Sequence, residues 1–221
     1  PKRDWSSDVC SSDLTSDDTE HTCMLAQSLI VTGHGDKASL EKTFAANFGW
    51  RLRFWLLGLP AGIGMATLRS IVKLWLGFPP TRSGVFSAGN GPAMRAALIG
   101  ACYGDDLPRL RALVRAQTRI THTDPKAEFG ALTVALAAHA ASTGVDVTPA
   151  TFAQQLKQQI DDAEFNALVT NVCDSIARKE TSEAFAERIG CAKGVSGYMY
   201  HTLPCVLHVW LTHQNDYRAA V

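Results

Sequence analysis

The feature that most limits what this chain can fold into is a recurring start signal. A short polar side chain stands just ahead of apolar residues spaced three and four apart. Ser16 precedes Asp17-Asp18 and the run Cys23-Met24-Leu25-Ala26-Gln27-Ser28-Leu29-Ile30. Asp106 precedes Leu107, Leu110, Leu113 and Val114, and Asp124-Pro125 precedes Phe129, Leu132, Ala135 and Leu136. Thr148-Pro149 precedes Phe152, Leu156 and Ile160. A side-chain oxygen in that place accepts from an unpaired amide of the first helical turn, and proline just after it costs no hydrogen bond. Apolar residues at this spacing line one face of a helix. Further helices are predicted over 37–48, 66–76, 93–102, 163–179 and 182–189, another through 203–211, and one beginning at Asp216. These helical segments, with no alternating stretch of useful length, predict an all-α fold.

The chain has 221 residues, enough for one large domain or two small ones, and 46% are hydrophobic, so a substantial core is expected. Formal net charge is zero, which provides no global field toward nucleic acid or an anionic membrane. Arg109, Arg111, Arg115 and Arg119 read as the solvated face of one helix. The apolar run from Phe54 to Leu68 is interrupted by Gly58, Pro60, Gly62 and Gly64. It falls short of the about 18–20 residues a membrane span needs, so it reads as a short helix, a turn and a second buried helix. None of the six cysteines forms a Cys-x-x-Cys pair or lies at zinc-ligand spacing with a histidine. They read as buried thiols, which places the protein in the reducing cytoplasm.

Residues 1–14 follow another rule. They are polar, rich in Ser and Asp, and lack the apolar centre of a signal peptide. The stretch from Asp4 to Leu14 looks like a translated sequencing adapter. The expectation is a non-native leader over 1–14, followed by the natural domain over 15–221.

Four places carry candidate chemistry. Asp17 and Asp18 beside the Ser16 hydroxyl offer hard oxygen donors for magnesium, manganese or calcium, but acids in a first turn also complement the helix dipole. Ser87-Ala88-Gly89-Asn90-Gly91-Pro92 is either a tight turn into a helix or a place where backbone amides approach a phosphate. His122 in Thr121-His122-Thr123-Asp124-Pro125 reads as a core or cap histidine or as a residue lining a site. Gly194-Val195-Ser196-Gly197-Tyr198 is a glycine loop ending in an aromatic, structural or ligand-bordering.

These segments, in this order, resemble the motifs of the ADP-ribosylglycohydrolase family, which includes the dinitrogenase-reductase-activating glycohydrolases. The resemblance implies a compact orthogonal bundle of helices, here truncated at both ends. It implies hydrolysis at C1 of the distal ribose, releasing ADP-ribose from protein side chains or related compounds, with ADP-ribose or an ADP-ribosylated protein as partner. It implies two divalent cations, Mg2+ or Mn2+, with Asp17 and Asp18 as ligands and Ser16 where threonine is usual. Ser87, Gly89, Asn90, Gly91, His122, Gly194, Ser196, Gly197 and Tyr198 would border the ADP-ribose, whereas Met94 and Arg95 would pack and orient. No catalytic residue is assigned. The family's second metal motif, of Gly-Gly-Asp-x-Asp-Thr type, has no counterpart, because no Gly-Gly pair occurs. The expectation is therefore a fragment with half a metal site, inactive by itself. A non-catalytic ADP-ribose-binding or crystallin-like structural protein stays open beside the enzyme.

Overall fold

The computed structural model describes residues 16–33, 37–60, 62–144 and 146–221. The leader expected over 1–14 lies outside the described residues. Thirteen α-helices and one π-helical turn are found among them, with no strand beyond isolated bridges. In chain order the helices are α1 (Asp17–Thr32), α2 (Lys37–Leu57), α3 (Met65–Trp75), α4 (Pro80–Ser83) and α5 (Gly91–Met94). Then follow α6 (Ala97–Tyr103), α7 (Leu107–Arg119), α8 (Pro125–Ser142), α9 (Pro149–Gln159) and α10 (Ala163–Ala177). α11 (Ser182–Ala186), α12 (Met199–Thr212) and α13 (Tyr217–Ala220) complete the set. The all-α expectation is met.

The caps read from sequence form as bonds. Thr19 N donates to Ser16 Oγ at 3.4 Å, Arg109 N to Asp106 Oδ1 at 3.1 Å, and Lys126 N to Asp124 Oδ1 at 2.9 Å. Thr151 N donates to Thr148 Oγ1 at 3.2 Å.

α8 is the axle of the bundle. It packs on α5, α6, α7 and α12. It is apolar nearly all round, as a helix enclosed by others must be, and buries Ala127, Ala131, Leu132, Ala135 and Leu136. Its small residues let neighbours come close. A Cβ at Gly100 of α6 would fall on the Ala135 carbonyl. Around α8, one core joins Leu25, Phe44, Phe48, Leu110, Leu113, Phe152, Phe165, Phe185 and Leu203.

Several expectations need correction. The helix predicted over 37–48 does not stop at Gly49 but runs to Leu57. Gly49 is kept for close packing, since a Cβ there would lie 3.0 Å from Pro80 Cγ. The helix predicted over 93–102 is broken by a turn at Arg95-Ala96. There the bonds of a buried guanidinium outweigh the helix preference of the flanking alanines. The helix predicted over 182–189 gives way after Ala186 to a π-helical turn, Glu187–Cys191, inside which Gly190 takes φ +87°. The last long helix starts at Met199, with Pro204 inside it. The cysteines are not uniformly buried: Cys191 is buried, Cys173 and Cys205 are half-buried, and Cys23 and Cys102 are exposed.

Among the described residues, no helix is long and apolar enough to cross a membrane. Trp50 and Phe54 of α2 and Trp75 of α3 are exposed, the first two stacked at 6.0 Å. Arg53 lies over the Trp50 ring at 4.7 Å and donates to the Leu74 carbonyl, which ties α2 to α3.

Candidate functional site

Three loops meet at one end of α8, laced by short pieces of extended backbone. Val85 pairs in parallel with His122: Val85 N donates to Thr121 O at 3.1 Å and Thr123 N to Val85 O at 2.9 Å. Gly89 pairs antiparallel with Tyr198: Asn90 N donates to Gly197 O at 2.9 Å and Met199 N to Ala88 O at 2.8 Å. The Gly89–Gly91 loop, His122 and the Gly197–Tyr198 turn are thereby brought together.

His122 lies beneath the glycine loop, only 3% exposed. A Cβ at Gly89 would come 2.8 Å from His122 Nε2, and one at Gly91 would come 3.2 Å from Cε1. Close approach to the imidazole therefore calls for glycine at 89 and leaves little room for a side chain at 91. In this state His122 supports the loop from behind rather than facing the outside. Ser87, Gly89, Asn90 and Gly91 are half-buried, whereas Gly194, Ser196 and Gly197 are exposed. Gly194 has φ +112°, a backbone conformation that other residues avoid.

Beneath the loops sits Arg95, fully buried. Its Nε donates to Gln117 Oε1, and NH2 donates to Gln117 O at 3.1 Å and Thr121 Oγ1 at 2.9 Å. NH1 meets His21 Nδ1 at 3.1 Å. A guanidinium only donates, so Nδ1 of His21 accepts and the His21 proton sits on Nε2. Among the described residues that nitrogen has no hydrogen-bond partner; the ring meets Trp55 edge to face, centroids 4.3 Å apart. Trp55 Nε1 in turn donates to Glu20 Oε2 at 2.6 Å. On the other side the Thr121 hydroxyl lies 2.9 Å from His122 Nδ1. A network thus runs from α1 through Arg95 to the imidazole under the glycine loop.

The electrostatics follow from this burial. Burial first, and the Arg95 charge second, pull His21 and His122 down to about 3, so both are neutral at physiological pH. Arg95 is lowered by burial to about 9, and the Asp17 charge pushes the other way. Asp18 is raised above the ordinary carboxylate range, by partial burial of its carboxyl and then by the neighbouring Asp17. Ser16, Asp17 and Asp18 sit at the N-terminus of α1, and His21 of that helix links it to the loops through Arg95. Among the described residues, no group of three or more His, Cys, Asp or Glu is placed to hold a metal ion. The donor type suits a hard cation, and crowding between Asp17 and Asp18 is what such a cation relieves, but these residues supply only part of a shell.

Tyr198 is held from two sides, and it is 37% exposed. Lys126 Nζ donates to its hydroxyl at 3.1 Å and to Glu164 Oε1 at 2.7 Å, and lies 4.7 Å over the Tyr200 ring. His201 meets the Tyr198 ring edge to face at 5.1 Å, and its Nδ1 is 2.9 Å from Ser196 Oγ.

Sequence reasoning passed over His21, Gln117 and Lys126. The first two did leave a signal. Gln117 continues the apolar stripe of Leu110, Leu113 and Val114, and His21 lies one turn before Leu25 on the inward face. A polar residue in a buried stripe must find partners. Lys126 left none, since its partner Tyr198 is 72 residues away.

Comparison with known proteins adds three findings. The family described as ADP-ribosylglycohydrolase matches residues 4–221. An uncharacterized protein of Archaeoglobus fulgidus is 37% identical over 122 residues, covering 55% of this chain and 37% of that protein. A solved structure described as an ADP-ribosylglycohydrolase-related protein complex is similar with a TM-score of 0.60 at 21% identity, over 94% of this chain and 62% of that chain. At that identity the likeness speaks for the fold. The match thus spans little more than a third of the archaeal protein and under two thirds of the structural neighbour.

Proposed function

The chain belongs to the ADP-ribosylglycohydrolase family, a family of glycohydrolases, and from that premise we propose that its parent protein releases ADP-ribose from ADP-ribosylated protein side chains or related compounds. The observation that carries the reading is the lacing of the Gly89–Gly91 loop to the Tyr198 turn over His122. The exposed side of those loops is assigned to ADP-ribose. Ser87, Gly89, Asn90 and Gly91 contribute on one rim, with Gly194, Ser196, Gly197 and Tyr198 on the other. His122 supports the first rim from below and keeps its shape.

Ser16, Asp17 and Asp18 are assigned to the divalent cations, Mg2+ or Mn2+. When bound, such ions supply Lewis acidity and a more acidic water. The chain's own residues hold the setting for that chemistry. Arg95 ties α1 to the loops, offsets the charge of Asp17, and adds to the burial that keeps His21 and His122 neutral. Ionised Asp17 and Asp18 repel each other, which gives a cation a reason to bind there. Three donors fall short of the about six oxygens each hard cation wants. The 221-residue chain alone is therefore inactive in this reading, with the other ligands coming from the family's second metal motif. Free thiols accord with a cytoplasmic setting.

Titration calorimetry with ADP-ribose and with AMP tests the pocket, with circular dichroism to verify the fold. Tighter binding of ADP-ribose is expected; equal affinity, or no binding by folded protein, counts against it. Release of ADP-ribose from ADP-ribosylarginine and ADP-ribosylserine substrates tests the chemistry. It is measured for this chain, for a version extended to carry the second motif, and for that version with Asp18→Asn. Turnover by the short chain equal to the extended one removes the split-site argument. Full activity in extended Asp18→Asn removes the metal role. Binding without turnover by the extended form returns the reading to a non-catalytic ADP-ribose binder.

A further inference from the structure

Away from the loops, a cavity of about 580 Å3 opens between the end of α10, the start of α11 and the helices α12 and α13. Ile176, Glu180, Ser182, Val209 and His213 are among its walls. Behind Ser182 lies a chain of polar contacts that the ADP-ribose reading leaves unused. Ser182 Oγ is 2.9 Å from His208 Nδ1, and His208 Nε2 is 3.1 Å from Ser175 Oγ. Ser175 Oγ donates to Glu180 Oε2 at 2.5 Å. His208 and Ser175 are fully buried, and the imidazole stacks on Phe185 at 4.7 Å, which fixes its plane.

Burial disfavours the charged form of His208, and for the neutral ring the direction of these bonds is forced. Glu180 takes bonds from Arg188 at 2.9 Å on each oxygen, so it is an ionised acceptor. Ser175 has one proton and gives it to Glu180. It must then accept from His208, which places the imidazole proton on Nε2. Nδ1 is left bare, and the only bond it can make with Ser182 is to accept that hydroxyl's proton. Every bond therefore points from Ser182 through the buried imidazole toward a carboxylate clamped by arginine. A serine whose hydroxyl is given to a neutral imidazole, itself oriented by a further acceptor, is the arrangement that activates a hydroxyl for attack.

We propose that Ser182 is an activated nucleophile at the wall of this second cavity, with His208 as its base and Ser175 and Glu180 as positioning residues, able to take an acyl group from a small ester. In the step, Ser182 Oγ bonds to the acyl carbon and its proton passes to His208 Nδ1. The alcohol leaves with that proton, and water then releases the acid and restores the serine. His208 becomes cationic in passing, opposite Glu180, with Arg188 and His213 the other charged or titratable groups whose fields reach it. This inference does not rest on the glycohydrolase reading.

The test uses the purified 221-residue chain and an alkyl fluorophosphonate, which forms a Ser–O–P bond and loses fluoride with the hydroxyl proton. Tryptic mass spectrometry locates the adduct, and p-nitrophenyl acetate hydrolysis reports turnover. Labelling at Ser182 is expected, absent in Ser182→Ala and slowed roughly 100-fold in His208→Gln. Ser175→Ala frees the other imidazole tautomer, so labelling slows although Ser182 and His208 remain. Nitrogen-15 shifts of His208 should show bare Nδ1 in the wild type and a change in Ser175→Ala. If His208→Gln does not fold, the wild-type adduct, the Ser175→Ala rate and the tautomer decide. No adduct at Ser182 in folded wild-type protein overturns the proposal. So does an equal labelling rate in folded His208→Gln, or a wild-type His208 protonated on Nδ1.

Discussion

Replacing Arg95 by methionine is the sharpest test of how the site is held. Methionine nearly matches the arginine stem in length and removes the guanidinium. Four acceptor contacts go with it: Gln117 Oε1, Gln117 O, Thr121 Oγ1 and His21 Nδ1. Bonds to a charged donor contribute about 1.5–3 kcal/mol each, and the acceptors left behind are buried. Against this, the variant no longer takes a charge out of water, which returns several kcal/mol. The packing under Phe48, 5.2 Å from the guanidinium carbon, is largely kept. The net loss should be about 3 kcal/mol, a fall of about 6–12 °C in melting temperature for a chain of this size. Urea unfolding followed by circular dichroism measures the first and a thermal scan the second. Lysine at the same position should rescue little, because it lacks the planar fork. Proton NMR gives an independent readout. The Arg95 charge is the second cause lowering His21 and His122, so both should titrate higher in the variant, yet still below the ordinary range because burial persists. A loss under about 1 kcal/mol, or unchanged histidine titrations, would refute the view that Arg95 joins α1 to the loops.

Gly89→Ala places a methyl 2.8 Å from His122 Nε2, and the buried ring has little room to yield. It should cost about 1–3 kcal/mol by urea unfolding and weaken ADP-ribose binding, whereas Gly91→Ala, at 3.2 Å from Cε1, should be milder. Lys126→Met frees the Tyr198 hydroxyl; calorimetry should show roughly tenfold weaker ADP-ribose binding, about 1.4 kcal/mol, with AMP reporting whether the loss is at the base. His21 and His122 are held neutral in the fold at about 3 and relax to 6.5 when it opens. Unfolded chains therefore bind more protons below pH 6.5, so this stability is present above that pH and lost as pH falls toward 3. Each histidine contributes a slope of about 1.4 kcal/mol per pH unit in that window, and His21→Gln should flatten the curve measured by urea unfolding.

Much of the fold was legible because its causes are local. Ser16, Asp106, Asp124 and Thr148 announce their helices through bonds spanning two or three residues. Leu110, Leu113 and Val114 announce a buried face by spacing alone. What failed was decided at a distance. Gly49 looks like a stop in sequence and proves to be a contact with Pro80. The alanines after Pro92 promise one helix, and the break comes from Gln117, Thr121 and His21 acting on Arg95. The candidate site divides the same way. The loops of Gly89–Gly91 and Gly194–Tyr198 stand out by composition. Their pairing, the burial of His122 beneath them and the grip of Lys126 on Tyr198 depend on residues far apart in the chain.

That separation has a consequence for how the molecule comes into being. Gly89 and Tyr198 lie about half the chain's length apart, yet Asn90 N–Gly197 O and Met199 N–Ala88 O are what hold the two loops together. Closing so long a segment costs entropy that two hydrogen bonds do not repay. The pair therefore forms only after α8 has gathered α5, α6, α7 and α12 around it. On the ribosome, the first loop must wait for Met199 to emerge before it acquires its shape. During refolding, helical content should return before protection of the Asn90 and Met199 amides.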